Sequence, residues 1–390
     1  MKKGLLFVSF FVLSIVLHAM PVLDDTALNQ RMKLLHLIAD LQTKNDASEL
    51  NGAFPSYRKY FYSSHLKQED NVFFTALILF NIGQFKDKMM PEEFILFNKC
   101  KSRAIIYMDR FKNQNNHLTY NFWPRNPPQI FPNGGWLNLF NKQFALADDI
   151  DDASISVLAI GVNDSIAMAM QSKFELYSVG KIKRNRSFYR PFKNRPVYST
   201  WLGHKMPIDV DMSVLTNVLL MHTLAKIPLN ATDSASFDLI VDLIKANKHL
   251  NDPKYVSQHY ANTSTILYHV ARLMYYSGYP SLLALKPVII DQASTLLKTS
   301  KYPLEQLLLH NSLLRLGVKP AAISFDSSSL SINNYPYFVA NIASVLNNPF
   351  KRIVNRSNIV RFDYYSYPFN LSLLYENWML RGDGLPPFGR

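Results

Sequence analysis

The stretch Asp148-Asp149-Ile150-Asp151-Asp152-Ala153-Ser154 places four carboxylates in five residues, then runs without a break into Ile155-Ser156-Val157-Leu158-Ala159-Ile160. Carboxylates ahead of an apolar helix accept hydrogen bonds from its first free N–H groups and complement its macrodipole. The same shape returns at Asp70-Asn71-Val72, Asp209-Val210-Asp211-Met212-Ser213, Asn262-Thr263-Ser264, Asn334-Tyr335-Pro336 and Tyr364-Tyr365-Ser366-Tyr367-Pro368-Phe369-Asn370. That makes six helix starts, at irregular intervals of up to about 80 residues, against roughly 20 to 50 in a regular solenoid. A closed ring of helical hairpins accounts for such spacing better than an open stack does. In such a ring the inner helices begin at one end, where their polar caps gather around a central cavity.

Working outward, apolar periodicity predicts helices over 25–44, 70–85, 91–111, 152–173 and 212–226. Further helices are expected over 237–246, 264–276, 287–297, 304–316, 337–346 and 371–380. Pro91 suits a first-turn position, and Asp70, Asp152 and Ser264 are expected to cap N-termini. The one strand signal is Ile359 to Tyr364, after the turn-like Asn355 to Asn358. The expected fold class is therefore all-α, in a single large helical domain over 20–390.

The first nineteen residues read as a cleavable export signal: Lys2 and Lys3, an apolar run from Leu5 to Leu17, then His18 and Ala19. That run falls short of the roughly 20 residues that span a bilayer, so the expected product is periplasmic or secreted. At 48% hydrophobic and 18% charged residues the chain is not a disordered one. Cys100 is its single cysteine, which excludes an internal disulfide and a thiolate zinc cluster.

The net charge is +13, and no Asp or Glu occurs from Leu176 to Ile208. Lys181, Lys183, Arg184, Arg186, Arg190, Lys193 and Arg195 crowd that stretch around Tyr189 and Phe192. Such a run binds an anion or an anionic membrane surface, or serves as a solvated, solubilising loop. Nucleic acid is not expected as a partner, since no recognition motif is present, and a monomer is expected.

Crowded carboxylates raise one another's pKa and favour a protonated acid able to donate, unless a divalent cation such as Mg²⁺ relieves the repulsion. The structural alternative is a helix start over-supplied with acids. The ten histidines form no HxxxH or HExxH pair, and neither a Gly-rich phosphate loop nor a GxSxG elbow occurs.

Asp149-Ile150-Asp151-Asp152-Ala153-Ser154 resembles the DxDD-(T/S)-A acid motif of class II terpenoid cyclases, and Gln129, Gly134 and Trp136 match the spacing of one QW element of that superfamily. The stretches 200–219, 268–272 and 364–376 are similar to its other toroid proteins, which include protein prenyltransferase β-subunits. The resemblance implies an α/α toroid of alternating inner and outer helices. It also implies that Asp151 is a general acid toward an alkene or epoxide, tuned by Asp149 and Asp152. A carbocation so formed asks for aromatic walls. Trp123, Trp136, Trp201, Tyr260, Tyr268, Tyr364 and Tyr365 stand near the motifs as candidate ligand-binding residues, with Asp209, Asp211 and Glu376. Class II cyclases join two such barrels, whereas this chain has room for one. The prenyltransferase activity is set aside, because Cys100 lies outside every matched motif. The same acids also read as DDxxD, but Asn163-Asp164 is not followed by the second metal-binding pattern.

Three functions stand open on the sequence. One is a toroid enzyme acting on an isoprenoid or other apolar ligand. The others are a secreted glycan-processing hydrolase or lyase, and a non-catalytic toroid binding protein.

Overall fold

The structure, a computed structural model, describes residues 25–115, 118–131, 145–321, 323, 325, 327–331 and 334–382. The export-signal reading at 1–19 and the Gly134 and Trp136 positions lie outside these residues. The described chain is helix-rich with one small sheet.

In order it runs α1 (Asp25–Leu41), β1 (Tyr57–Tyr60), β2 (Leu66–Gln68), α2 (Val72–Gly83), α3 (Pro91–Asp109), α4 (Ile150–Ile160), α5 (Asp164–Glu175) and α6 (Met212–Leu224). There follow α7 (Ala231–Lys245), α8 (Lys248–Asn251), α9 (Pro253–Val256), α10 (Thr263–Tyr276), α11 (Pro280–Leu283), α12 (Lys286–Thr299) and α13 (Pro303–Arg315). The chain continues through α14 (Ser327–Leu330), β3 (Phe338–Asn341), α15 (Phe350–Ser357), β4 (Arg361–Tyr365) and α16 (Tyr367–Arg381).

Six helices, α2, α4, α6, α10, α13 and α16, carry long uninterrupted buried runs because small and apolar residues surround each axis rather than forming one stripe. Each packs on the next in chain order, and α16 packs back on α2. The amphipathic helices lie outside them: α3 beside α2, α5 and α7 beside α6, α12 beside α10 and α13, and α1 beside α16.

The six run the same way. At one end Gln84, just past α2, accepts hydrogen bonds from Tyr276 at the end of α10 (3.0 Å) and Arg315 at the end of α13 (2.6 Å). At the other end the starting residues meet: Ser264 of α10 donates to Glu305 of α13 (2.7 Å), and the Val72 amide of α2 donates to the Phe122 carbonyl (3.2 Å). The caps are Asn71, Asp149, Asp211 and Ser366, each accepting from the first turn of its own helix. Asp70, expected as a cap, instead takes hydrogen bonds from Tyr107 (2.7 Å) and Arg110 (3.0 Å).

Three sequence expectations are corrected. The segment expected as a helix over 337–346 forms β3 and a short 3₁₀ turn, because Phe338 to Asn341 pairs antiparallel with β4 and tertiary pairing overrides local preference. The sixth inner helix starts instead at Pro303, where no side chain caps it. The helix expected over 152–173 breaks at Gly161, whose φ of 108° suits glycine, and restarts behind the Asn163 cap. The sheet, in the order β2-β1-β4-β3, qualifies the all-α expectation.

Polar groups fill the interior between the six helices. The Arg272 guanidinium lies over the Phe80 and Tyr268 rings and donates to Asn217 (2.7 Å). Glu376 accepts from Tyr268 (2.7 Å) and pairs with Arg315 (3.0 Å), both members of the pair being fully buried. Removing one partner of a buried ion pair strands the other charge, at about 3–5 kcal/mol. Glu376→Ala is therefore expected to lower unfolding free energy by about that amount in urea titration. A loss below about 1 kcal/mol would mean that water or another acid already serves Arg315.

Candidate functional site

A cavity of about 310 Å³ lies where α4 and α6 begin, closed by loop residues and by β3 and β4. Backbone pairing sets its walls. Asp149 bridges both Tyr120 and Trp201, the Ile150 amide donates to the Thr200 carbonyl (3.0 Å), and the Thr200 amide to the Asp209 carbonyl (2.8 Å). These bonds bring the acidic stretch, the Trp201 segment and the Asp209–Asp211 stretch to one place.

The lining is mainly apolar: Phe122, Trp123, Phe131, Trp201, Phe338 and Tyr364 supply rings, and Met206, Val214, Ile342 and Val345 supply aliphatic surface. Against this wall stand Asp149, Asp151, Asp152 and His259. The Trp123 indole N–H is tied to Glu69 (2.7 Å), whereas that of Trp201 has no hydrogen-bond partner.

The four acids of the motif meet four different fates. Asp148 lies outside the lining, held by Arg125, Thr119 (2.7 Å) and Asn113 (2.6 Å). Asp149 caps α4 through the Asp152 amide (2.7 Å). Asp151 accepts from Asn217 (2.7 Å) and from the Tyr260 hydroxyl. Burial, then the nearby Asp149, outweighs those donors and raises its carboxyl to about 7. Asp152 is pushed well above the ordinary range by burial and by Asp149, to which it donates its proton, while its Oδ2 has no partner. Asp149 is raised as well, by burial first, so the two adjoining carboxyls both resist ionisation.

Behind the cavity wall Asp209 is fully buried against Lys351 (3.0 Å), itself fully buried, and accepts from Gln258. Burial would raise this carboxyl, but Lys351 and His259 outweigh it and hold it well below the usual range. The His259 imidazole sits 3.6 Å from Asp209, an ion-pair rather than a hydrogen-bond separation. Burial would lower its pKa, yet Asp209, then Asp211 and Asp149, raise it to about 9. Its ring stacks on Phe338 at 5.9 Å and meets Trp201 edge-on at 6.0 Å. Asp211 caps α6 and accepts from Ser257 (2.6 Å) and the His259 amide (2.9 Å).

No protein-family model, curated protein or solved structure matches the chain.

Of the residues expected to bind a ligand, Trp123, Trp201 and Tyr364 line the cavity with Asp149, Asp151 and Asp152. Tyr260 stands one layer behind Asp151, and Asp209 and Asp211 stand behind His259. Tyr268 and Glu376 belong to the filled interior, and Tyr365 stacks under Lys59, so these three lie outside the cavity lining. In the basic stretch, Lys183, Arg184 and Arg186 share a separate groove with Lys205, whereas Lys181 pairs with Glu175 (3.7 Å) and Arg190 lies outside that groove. Among the described residues no three His, Cys, Asp or Glu side chains converge as metal ligands. Phe122, Phe338, Val214, His259 and Lys351 were not singled out from sequence, and only the fold brings them together.

The His259 shift fixes a sign. A raised histidine contributes stability that is full below its unfolded value of 6.5 and is lost as pH rises through about 9. Asp151, raised to about 7, acts in the same direction at lower pH. Urea stability is expected to fall between pH 6.5 and 9 by at most on the order of 3 kcal/mol, and His259→Gln to flatten that slope. Equal slopes in the two proteins would contradict the Asp209–His259 pairing.

Proposed function

We propose that the chain is an exported α/α toroid of the terpenoid cyclase type, acting on an apolar small molecule bound at the rim of the ring. The observation that carries this reading is a buried carboxyl, Asp152, facing an aromatic-walled cavity with its Oδ2 left without a partner; burial and Asp149 raise it well above the ordinary range and favour its protonated form. The closed packing cycle of six parallel helices supports the toroid. The volume falls at the low end of the roughly 300–1,000 Å³ of small-molecule sites.

Within the acid motif the roles shift by one residue from those that the resemblance implies. Both Asp151 oxygens already accept a hydrogen bond, from Asn217 and from Tyr260, so neither is free to hold a proton toward the cavity. With its proton on the free Oδ2 rather than toward Asp149, Asp152 suits the donor role toward an alkene or epoxide. Its O–H bond breaks as a C–H or epoxide O–H bond forms, and the Asp149–Asp152 pair, left one proton short, takes a proton back from a C–H bond of the product cation, while Trp123, Trp201, Phe122 and Phe338 present π faces to developing positive charge. His259 raises a difficulty for a cation beside it and favours a reacting carbon nearer Trp123.

A second reading, a non-catalytic binding protein, is favoured by the packed interior around Arg272 and Glu376, which confines the cavity to the rim. A glycan enzyme is supported least, because few polar groups other than the carboxylates line the cavity.

The neutral fluorophore N-phenyl-1-naphthylamine tests the site by energy transfer from tryptophan. Saturable binding is expected, weakened about tenfold in Trp201→Ala, which removes roughly 1.4 kcal/mol of aromatic contact. Asp152→Asn should leave that affinity within a factor of about two, the change being isosteric and neutral for neutral. It should also remove a protonated-carboxyl infrared band present at neutral pH. Absence of that band in the parent protein would eliminate the acid role, and absence of binding would eliminate the apolar site.

A further inference from the structure

Helix α15 has its polarity inside out. Lys351 and Asn355, one turn apart, are buried toward Asp209 and the protein interior, while Phe350 (66% exposed) and Ile353 (61%) face water. An apolar pair exposed at this cost is unusual on a helix of eight residues that could have shown its polar face instead. The patch continues beyond the helix. Ser357 lies on the same face, its carbonyl accepts from the Tyr62 hydroxyl, and Tyr62 (61% exposed) and Ile359 (53%) extend the surface with Phe61. The Arg361 guanidinium lies over the Phe61 ring.

Basic charge rims this patch. The Asn348 amide, just ahead of α15, donates to the Arg186 carbonyl (3.1 Å), which sets the helix beside a groove lined by Lys183, Arg184, Arg186 and Lys205. Among the described residues Arg184, Arg186, Lys205 and Arg356 make no ion pair with a carboxylate, and the groove lining contains no acid. Val345 lines both that groove and the apolar cavity. The patch and the groove therefore occupy one face, and the cavity wall adjoins it at Val345.

We propose that this face docks on an anionic lipid bilayer, with Phe350, Ile353, Ile359 and Tyr62 entering the interface and Lys183, Arg184, Arg186, Lys205 and Arg356 meeting the headgroups. Exposed aromatic and aliphatic side chains interleaved with Lys and Arg, and without acids, fit that surface. A protein partner of opposite charge would need apolar complementarity as well, and a second copy of this chain would bring like charges together. The consequence for the site is access: Val345, exposed and shared by groove and cavity, puts the docked face next to the cavity wall, which favours entry of an apolar molecule from the membrane.

Sedimentation of the full chain with vesicles of phosphatidylglycerol and phosphatidylcholine tests this, with pure phosphatidylcholine alongside. Binding to the anionic vesicles is expected and should weaken with added salt. Ile353→Asp and Phe350→Asp should each weaken it at least tenfold. Arg184→Glu with Arg186→Glu should do the same, since each basic residue at such a surface is worth about fivefold. All four residues are exposed, so urea midpoints should stay unchanged. The variants share residues 1–24, so differences among them read this face alone. No binding by the parent, equal binding by the variants, or self-association that Ile353→Asp abolishes without any vesicle binding would each overturn the proposal. Naphthylamine binding should persist in every variant, which separates this result from the cavity's own.

Discussion

A carboxylate taken out of water must find donors or a cation, or accept a proton, and six of them are buried where the inner helices begin. The three remedies are used side by side. Asp148 and Asp209 take cations, Arg125 and Lys351. Asp149 and Asp211 take the free amides of α4 and α6. Asp152 has neither remedy at its Oδ2, and burial with Asp149 beside it raises its carboxyl well above the ordinary range, while Asp151 lies between the last two cases. The parallel run of the helices makes this arrangement tolerable, because their positive partial charges lie at the end where the acids are buried. Reversing the direction of any one inner helix would set a C-terminus among carboxylates.

The same constraint divides the ring into two regions of different chemistry. Near the starts, carboxylates and rings leave a cavity. Deeper in, Arg272 and Arg315 fill the axis, each covered by aromatic faces and answered by Asn217, Glu376 and Gln84. Two guanidinium groups in the interior need an acid, and Glu376 on α16 supplies it. This explains why a residue that sequence pattern placed at a ligand site serves the scaffold instead.

What was legible in the sequence follows from range. Helix starts at Asn71, Asp149, Asp211 and Ser366 were visible because a cap and the apolar run that it precedes are neighbours in the chain, and the start at Asn262 shows the same polar lead although its side chain caps nothing. The start at Pro303 has no side-chain cap and left no such mark, whereas Asn334-Tyr335-Pro336 carries the mark and leads into a strand, because β4 offers it hydrogen-bonding partners from a distant segment. The site divides the same way. Asp149 to Asp152 were legible as one local cluster, and Trp123 and Trp201 through their proximity to it. His259, Phe338 and Lys351 arrive from elsewhere, and a lysine on a short basic helix looks like a solvated charge until Asp209 is found beside it.

Lys351 also connects the two ends of the argument. Its ammonium must reach inward to Asp209, and on an eight-residue helix this orientation turns Phe350 and Ile353 toward solvent. Burying the Asp209 charge and exposing the apolar face are thus one event seen from two sides of α15. A helix designed only for solubility would pair Asp209 with a cation from a loop and keep its apolar face inward. Here the chain accepts exposed rings beside a cavity mouth, and the stability spent there is returned if that face meets a surface less polar than water.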